Sequence, residues 1–420
     1  MRYGRTLAWM ALVLAGCGGT DGGGSGAAPG GWPAGDSGAG AGGHDAGSSG
    51  TSGTDGGTTG STGGPDGSSS SPTDSGTSAP AEASAPTDAG TTPVPAGFVF
   101  SPYKDTSINL DWNTNVISTS VTGTATTLAA DMLASGGKAI TLAFATGECG
   151  SESWGGVDGG TLASTNVPLF TKAGVGYVVS TGGADGSFTC GTDAGMTTFL
   201  QRWASPQLLG VDFDIEAGQS ASVIQDLVTR IQTAHGSYPA LRFSLTIGTL
   251  ANNDGASTAQ SLGASVADSL NTYGDDVLAA IHQTFGATWP AYVTIDLMTM
   301  DYGSASDGVC VVSGGVCDMG QSALQAAYNL HDHWGVPYAN IELTPMIGQN
   351  DASSEQFTLA NATTVAHFAL AQGLAGVHYW SYDRDVDCAA GSASATCSSM
   401  GTSYAGAHGF LKTFLSAGLE

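Results

Sequence analysis

Basic residues are scarce in this chain. Its 420 residues include 10 Lys and Arg against 36 Asp and Glu, which gives a formal net charge of −26 at pH 7. Residues 1–97 hold eight acids and two bases, so 28 acids and eight bases remain in the rest. A surface this negative repels nucleic acid and anionic lipid headgroups. The composition therefore excludes DNA and RNA as partners and favours a neutral or cationic one, and a neutral polysaccharide fits this.

Long apolar runs are also missing. Two arginines precede the run Leu7–Leu14, which is too short to span a bilayer but has the size of a signal-peptide core. Small residues follow it directly before Cys17, and this pattern resembles a bacterial lipobox. We expect residues 1–16 to be a lipoprotein signal peptide and Cys17 to carry the lipid; an ordinary secretory signal is the alternative. Because Gly18 rather than Asp follows, we expect the outer membrane or the cell surface.

Large side chains are nearly absent from residues 17–96, where Gly, Ser, Thr, Ala, Pro and Asp dominate. Such a segment cannot bury enough apolar surface to offset its chain entropy. We predict a disordered linker over 17–96 and one folded domain over 97–420. A Gly-rich coil of about 80 residues spans roughly 50 Å, so the linker could let the domain reach insoluble material. A spacer with no such requirement fits equally well.

The chain lacks a paired CxxC motif, which disfavours a zinc site. Apart from Cys17 it has an even number of cysteines, which suits export into an oxidising compartment. Six cysteines permit 15 pairings, but short separations favour two loop disulfides and leave a third pair. These pairs are Cys310 with Cys317, Cys388 with Cys397, and Cys149 with Cys190.

Short runs rich in Val, Ile, Leu and Phe recur eight times from residue 97 onward, and segments with helical spacing lie between them. The predicted strands are Gly97–Tyr103, Ala139–Thr146, Val175–Gly182, Leu208–Glu216, Arg242–Thr249, Val293–Tyr302, Asn340–Ile347 and Gly376–Tyr382. The predicted helices include Thr126–Ala134, Ala194–Trp203, Ser222–Thr233, Gln321–Trp334, Gln356–Gln372 and Ser403–Leu415. This alternation predicts an α/β fold, a closed (β/α)8 TIM barrel, with a doubly wound open sheet as the rival. In a barrel, the functional groups should lie at the carboxyl ends of the strands.

Three acids alternate along the fourth predicted strand: Asp212, Asp214 and Glu216. Residues two apart share one face of a strand, about 6.6 Å from each other, while Phe213 and Ile215 point to the opposite face. Like charges so close together cannot all ionise. We expect Asp212 and Asp214 to share a proton and the pKa of Glu216 to be raised, so that Glu216 can protonate a leaving oxygen. A calcium or magnesium site, or an acid cluster without function, is the alternative.

The segment around these acids resembles the DGxDxDxE signature of the family 18 glycoside hydrolases, the chitinases. Here Leu209 stands in place of the first Asp, and the rest of the motif matches. Ser180–Gly183 is similar to the SxGG motif of the family's third strand, and Met300–Tyr302 to the MxY motif of the sixth. Trp380 ends the eighth strand, as the sugar-stacking Trp of the family does. The resemblance covers residues 98–420.

The resemblance implies a retaining, substrate-assisted mechanism. Glu216 would be the catalytic acid, and Asp214, supported by Asp212, would orient the acetamido N–H of the sugar. Tyr302 would hold the acetamido oxygen, and Trp380 would lie beneath its methyl group. The residues expected to bind substrate are Trp380, Met300, Asp301 and Tyr103. This scheme uses protein and substrate groups alone, and we expect no cofactor and no metal.

The position of Asp301 departs from the family pattern, which places an Asp after the Tyr, where Gly303 stands here. A second register, from Met298 to Asp301, would keep the Asp and lose the Tyr. We favour the first register because Met298, Met300 and Tyr302 would then share the inner face of the strand.

Only about 25 residues separate the seventh and eighth predicted strands, so the large insertion of many chitinases is missing. We therefore expect a shallow groove and endo-acting cleavage of chitin, or of another polysaccharide that contains N-acetylglucosamine, by a monomer. The same residues also fit an endo-β-N-acetylglucosaminidase that acts on N-glycans. A lectin without catalytic activity that binds chitin at the cell surface is the alternative from another class.

Overall fold

The computed structural model describes residues 97–216, 218–260 and 269–420. The expected signal peptide, Cys17 and the expected linker lie outside these residues. Within the described ranges, no helix combines the length and the apolar character needed to cross a membrane.

Parallel strands form a closed barrel. The first strand, β1, has two segments, Val99–Phe100 and Tyr103–Asp105, and the others are β2 (Ala139–Ala145), β3 (Gly176–Gly182), β4 (Leu208–Ile215), β5 (Arg242–Gly248), β6 (Val293–Met298), β7 (Ile341–Thr344) and β8 (Gly376–Val377). Neighbours in the chain pair in parallel throughout. The barrel closes because the first segment of β1 pairs with β8 and the second with β2. The predicted (β/α)8 barrel is confirmed, and the open sheet is excluded.

Helices surround the strands. They are α1 (Leu128–Ser135), α2 (Gly159–Ala173), α3 (Asp193–Trp203), α4 (Ala221–Ser237), α5 (Thr272–Phe285), α6 (Met319–Trp334), α7 (Leu359–Gln372) and α8 (Gly409–Ser416). All six helices named from the sequence are present, with shifted ends. The apolar spacing did not single out α2 and α5. Helix α2 opens on two glycines and contains Pro168, residues that usually mark the ends of helices.

Side-chain alternation along the strands creates the core. On β4 and β5 the outward residues are apolar and buried against the helices; Phe213, for example, lies 6.0 Å from Phe188 between ring centroids. Each such side chain contributes about 1.5–3 kcal/mol on burial. The inward residues of the same strands are polar, among them Asp212, Ser244 and Thr246. The sequence therefore builds an apolar layer outside the barrel and a polar interior.

Three disulfides stiffen loops that follow the carboxyl ends of strands. The predicted bonds Cys149–Cys190, Cys310–Cys317 and Cys388–Cys397 are all formed. The first joins the loop after β2 to the loop after β3, and the other two lie in the loops after β6 and β8. All three therefore lie on the face where a barrel carries its functional groups.

The connection from β7 to β8 is short, as predicted. It contains a hairpin of Gly348–Gln349 with Gln356–Phe357 and then α7. Residues 356–357 are strand rather than the predicted start of a helix, and α7 begins at Leu359 after a capping box of Thr358 and Asn361.

Candidate active site

The acids of β4 line the inside of the barrel. Asp212 is 1% exposed and Asp214 is 5% exposed, and the partly exposed Glu216 follows directly after the strand ends at Ile215. Phe213 and Ile215 are buried on the opposite face within the apolar layer. The alternation therefore brings the three carboxyl groups to one face, with Glu216 nearest the mouth.

Four hydroxyl groups surround Asp212. They are those of Tyr103 (3.0 Å) and Ser180 (2.5 Å) at Oδ2, and of Ser244 (2.9 Å) and Thr246 (2.6 Å) at Oδ1. Burial raises the pKa of Asp212, and these hydrogen bonds act in the opposite direction. Asp212 is thus held in place from β1, β3 and β5.

Asp214 and Glu216 are hydrogen-bonded to each other and titrate together. Burial raises the pKa of Asp214 well above its ordinary value, and the charges of Glu216 and Asp212 add to this. The expectation that Asp212 and Asp214 share a proton stays a prediction. Hydroxyl groups occupy the oxygens of Asp212, and the carboxyl group of Asp214 forms its hydrogen bond with Glu216.

The pKa of Glu216 is raised, as the sequence predicts. Burial is the main cause, and the charges of Asp185 and Asp301 raise it further, whereas the hydrogen bond with Asp214 lowers it. A carboxyl group of raised pKa keeps its proton to a higher pH and can act as a general acid.

A glycine at the end of β3 allows the close approach of β4. Gly182 has a φ of +90°, and a Cβ at this position would lie 1.9 Å from the backbone oxygen of Asp214. The next residue, Gly183, donates its backbone N–H to that same oxygen at 3.3 Å. The SxGG pattern thus positions the backbone of Asp214.

Strand β6 ends at Met298, four residues earlier than predicted. Asp301 has a φ of +51°, in the left-handed region, so strand alternation does not continue to Tyr302. The argument that Met298, Met300 and Tyr302 share a face by parity was therefore wrong beyond Met298. Met300 is partly exposed.

Glu355, which sequence reasoning missed, fixes the turn after β6. Its carboxylate accepts the backbone N–H groups of Tyr302 (3.1 Å) and Gly303 (2.7 Å) and is fully buried. Burial, and then the charge of Asp301, raise the pKa of Glu355 to about 7. Since Glu355 lies in a loop after β7, no periodic pattern in the sequence could have identified it.

Asp301 and Tyr302 lie in this turn. Asp301 accepts the backbone N–H of Asp351 at 2.8 Å, and burial raises its pKa to about 6. Tyr302 is 4% exposed, and its hydroxyl has no hydrogen-bond partner among the described residues. The turn thus carries one acid that acts electrostatically on Glu216 and one hydroxyl group without a partner.

Aromatic rings form one side of the interior. Trp380 is partly exposed and stacks on Phe144, with centroids 5.6 Å apart and an angle of 20° between the planes. Tyr103, expected to bind substrate, is 3% exposed and directs its hydroxyl to Asp212 and Asp296. Because its hydroxyl is already hydrogen-bonded to these two acids, Tyr103 supports them inside the barrel.

A second polar cluster lies deeper in the barrel and was not predicted. Asp296, Glu342 and His378 are all buried, and one potential ligand atom from each lies within 4.8 Å of the others. Nε2 of His378 is, however, 2.8 Å from Glu342 Oε2, and Nε of Arg242 is 3.2 Å from Glu342 Oε1. These contacts are those of ion pairs, and the two cationic side chains disfavour a metal ion at the same place. Strand parity with Met298 could have placed Asp296 inside.

Solved structures that share the fold include chitinase domains. The catalytic domain of a hyperthermophilic chitinase from Pyrococcus furiosus superposes with a TM-score of 0.56 at 22% identity, over 78% of this chain and 97% of that one. Active domain 2 of the thermostable chitinase from the same organism, a catalytic-site mutant complexed with chito-oligosaccharides, gives 0.55 at 21% identity, over 78% and 98%. No protein-family model and no curated protein matches the chain. The likeness establishes the barrel fold shared with these domains.

Proposed function

We propose that this protein is a glycoside hydrolase that cleaves β-1,4 bonds between N-acetylglucosamine units of chitin with retention, by substrate-assisted catalysis. The observation that carries the proposal is the hydrogen-bonded pair of Asp214 and Glu216 at the mouth of the barrel. This pair holds a proton on a carboxyl group of raised pKa, which is what the leaving oxygen of a glycosidic bond requires.

Two buried polar atoms without partners support an acetamido substrate. Oδ1 of Asp214 and the hydroxyl of Tyr302 have no hydrogen-bond partner among the described residues. Buried polar groups of this kind are costly unless something satisfies them. An acetamido group offers an N–H for the carboxyl oxygen of Asp214 and a carbonyl oxygen for the hydroxyl of Tyr302. Glu216 would then protonate the leaving oxygen while the acetamido oxygen attacks the anomeric carbon.

Trp380 gives the site an apolar floor. Its ring is held by stacking on Phe144 and keeps a part of its surface exposed. A flat aromatic surface beside the acids suits the apolar face of a sugar ring and its acetamido methyl group. Met300 and Asp301 would contact the substrate from the turn after β6.

The short connection between β7 and β8 supports endo cleavage. A hairpin and one helix occupy residues 345–375, so no additional domain forms a wall of the groove on that side. An open groove can bind the middle of a long chain. Early release of mixed oligomers is therefore expected, and release of dimers alone from the first turnovers would contradict endo action.

The activity test compares Glu216→Gln with Glu148→Gln on chito-oligosaccharides. Glu148 is the matched control, because it also follows a barrel strand but binds Thr189 (2.5 Å) and the backbone of Gly191 (2.7 Å). Loss of the general acid should lower turnover by about 10²–10⁴-fold while chitin binding persists, and the control should remain active. A wild-type protein that binds chitin without turnover would instead be a lectin.

Product analysis separates the remaining alternatives. Retention predicts that the initial product has the β-anomeric configuration, and an α product would exclude participation of the acetamido group. Colloidal chitin and a high-mannose glycopeptide, assayed side by side, distinguish a chitinase from an endo-β-N-acetylglucosaminidase.

We also propose that the protein is exported and anchored by a lipid on Cys17. The three disulfides suit an oxidising compartment. Mass spectrometry of the membrane fraction tests the anchor, and a Cys17→Ser variant should move to the soluble fraction.

A further inference from the structure

Asp296 lies on the inner face of β6, beside the acids of β4. It is fully buried and pairs in register with Thr246 of β5 and Glu342 of β7. Its Oδ2 accepts hydroxyl groups from three strands: Tyr103 at 3.0 Å, Thr246 at 3.3 Å and Thr344 at 2.6 Å. Its Oδ1 has no hydrogen-bond partner among the described residues.

Two of these hydroxyl groups also contact Asp212. The hydroxyl of Tyr103 is 3.0 Å from Oδ2 of Asp212 and 3.0 Å from Oδ2 of Asp296. Thr246 is 2.6 Å from Asp212 and 3.3 Å from Asp296. A hydroxyl group has one proton to donate, so each of them can serve only one of the two carboxylates at a time.

The remaining donors are not shared. Ser180 and Ser244 contact Asp212, and Thr344 contacts Asp296. The two acids are thus linked by the two shared protons, each of which is donated either to Asp212 or to Asp296. When the proton of Tyr103 turns to Asp296, Asp212 keeps its other three donors and loses the fourth.

Titratable and charged groups face Asp296 from five strands of the barrel. They are Tyr103 from β1, Asp212 and Asp214 from β4, Glu342 from β7, with Arg242 of β5 behind it, and His378 from β8. Burial raises the pKa of Asp296 to about 7, the charge of His378 opposes this, and the charges of Glu342 and Asp212 add to it. Asp296 in turn raises the pKa of Asp214.

We propose that Asp296 is a positioning residue for the acid row, which consists of Asp212, Asp214 and Glu216. Asp296 competes with Asp212 for the hydroxyl protons of Tyr103 and Thr246 and so controls the ionisation of Asp212 and Asp214. This inference rests on the proposed hydrolase function and adds to it a group that touches no substrate. It assigns Tyr103 the role of transmitting the charge state of Asp296 to Asp212.

The variant Asp296→Asn tests this directly. The amide removes a negative charge close to Asp214, and its NH₂ group can donate to the oxygen of Tyr103, whose proton then stays with Asp212. Both effects favour the ionised acids. Both limbs of the pH profile of kcat/KM on a soluble chito-oligosaccharide should therefore move to lower pH, by on the order of one unit for a charge several ångströms away.

Asp131→Asn is the matched control. Asp131 is also buried and also accepts a tyrosine hydroxyl, that of Tyr382 at 2.6 Å, but it pairs with His408 outside the acid row. Its loss should lower stability and leave both limbs of the pH profile in place. If the role of Asp296 is only structural, Asp296→Asn should also lower stability and leave both limbs of the pH profile in place. That result would overturn the proposal.

A double-mutant cycle with Tyr103→Phe tests the route. The phenylalanine removes the shared proton, so on its own it should move the limbs to higher pH. If Asp296 acts through this proton, the two changes are not additive. Additive shifts would show that Asp296 acts by its charge alone and would refute the competition for the hydroxyl.

The inference can fail independently of the proposed function. If the wild-type protein hydrolyses chito-oligosaccharides and Asp296→Asn keeps its pH limbs, only the role of Asp296 is wrong. If the wild-type protein has no turnover, the hydrolase function fails, and ¹³C NMR titration of the Asp carboxyl groups in both proteins still decides the coupling. Should Asp296→Asn not fold, Asp296→Glu must move the titration of Asp212 because it moves the carboxylate by one methylene; an unmoved titration refutes the coupling.

Discussion

His378 and Glu342 form a buried ion pair across β7 and β8, with 2.8 Å between Nε2 and Oε2. The charge of Arg242, together with this pair, lowers the pKa of Glu342 to about 2 against the opposing effect of burial. Burial lowers the pKa of His378, but the hydrogen bond with Glu342 and the charge of Asp296 outweigh it and raise the value. A charged network therefore occupies the interior of the barrel beneath the acid row.

We predict that Glu342→Gln lowers the free energy of unfolding at pH 7 by about 3–5 kcal/mol, because it leaves the buried His378 and the partly exposed Arg242 without their anionic partner. The measurement is chemical denaturation. The surface pair of the partly exposed Arg230 and the exposed Asp193, 3.0 Å apart, offers the control: Asp193→Asn should cost under about 1 kcal/mol. Equal losses for the two variants would contradict a role of Glu342 in the core.

The same pair predicts how stability depends on pH. The folded pKa of Glu342 lies below its ordinary value of 4.5, so its contribution is complete above 4.5 and is lost as the pH falls toward about 2. The folded pKa of His378 is raised, so its contribution is complete below its ordinary value of 6.5 and is lost at higher pH. Denaturation of Glu342→Gln between pH 4.5 and 2 should show a flatter dependence than the wild type, and parallel curves would refute the assignment.

A third prediction concerns Asp301 and the alkaline limb of activity. The charge of Asp301 raises the pKa of Glu216, so Asp301→Asn should lower it. Glu216 then loses its proton at lower pH, and the alkaline limb of kcat on chito-oligosaccharides should move in that direction. Asp226→Asn, on the outer surface of α4, is the control and should leave the limb unchanged. If the alkaline limb of Asp301→Asn moves to higher pH instead, the result contradicts this electrostatic effect.

Glu355→Gln should weaken catalysis through the turn after β6. The glutamine keeps the size of the side chain but offers one oxygen, so one of the two backbone contacts, to Tyr302 or Gly303, is lost. Hydrogen bonds to a charged group contribute about 1.5–3 kcal/mol, and we expect kcat/KM to fall about tenfold or more. Gln356→Ala, which alters a neighbouring exposed side chain, is the control. Unchanged kcat/KM in Glu355→Gln would show that the turn holds Asp301 and Tyr302 without it.

The disulfides should differ in their contribution to stability. Cys149–Cys190 closes a loop with a sequence separation of 41 and Cys310–Cys317 one of 7. Loop-closure entropy predicts a loss of about 4 kcal/mol for replacing the first pair by serine and about 2.5 kcal/mol for the second. Denaturation of the two double variants measures this difference, and the reverse order would refute the entropic account.

The fold could be predicted from the sequence because each strand was marked by an apolar run and each acid of β4 by alternation. Prediction failed where local backbone geometry decides which way the side chains point. The left-handed conformation of Asp301 ends the alternation on β6, and no propensity signals it. The partners of Asp212 and the contacts of Glu355 come from distant parts of the chain, so they could be identified only in three dimensions.

The chain enters the barrel at the end opposite to the candidate active site. Gly97 leads into the amino end of β1, where Nη1 of Arg242 lies 3.4 Å from its carbonyl oxygen, whereas Glu216 lies beyond the carboxyl end of β4. Because the strands are parallel, these two points are on opposite ends of the barrel. An affinity tag or a solid support joined ahead of residue 97 would thus leave the opening beside Glu216 unobstructed.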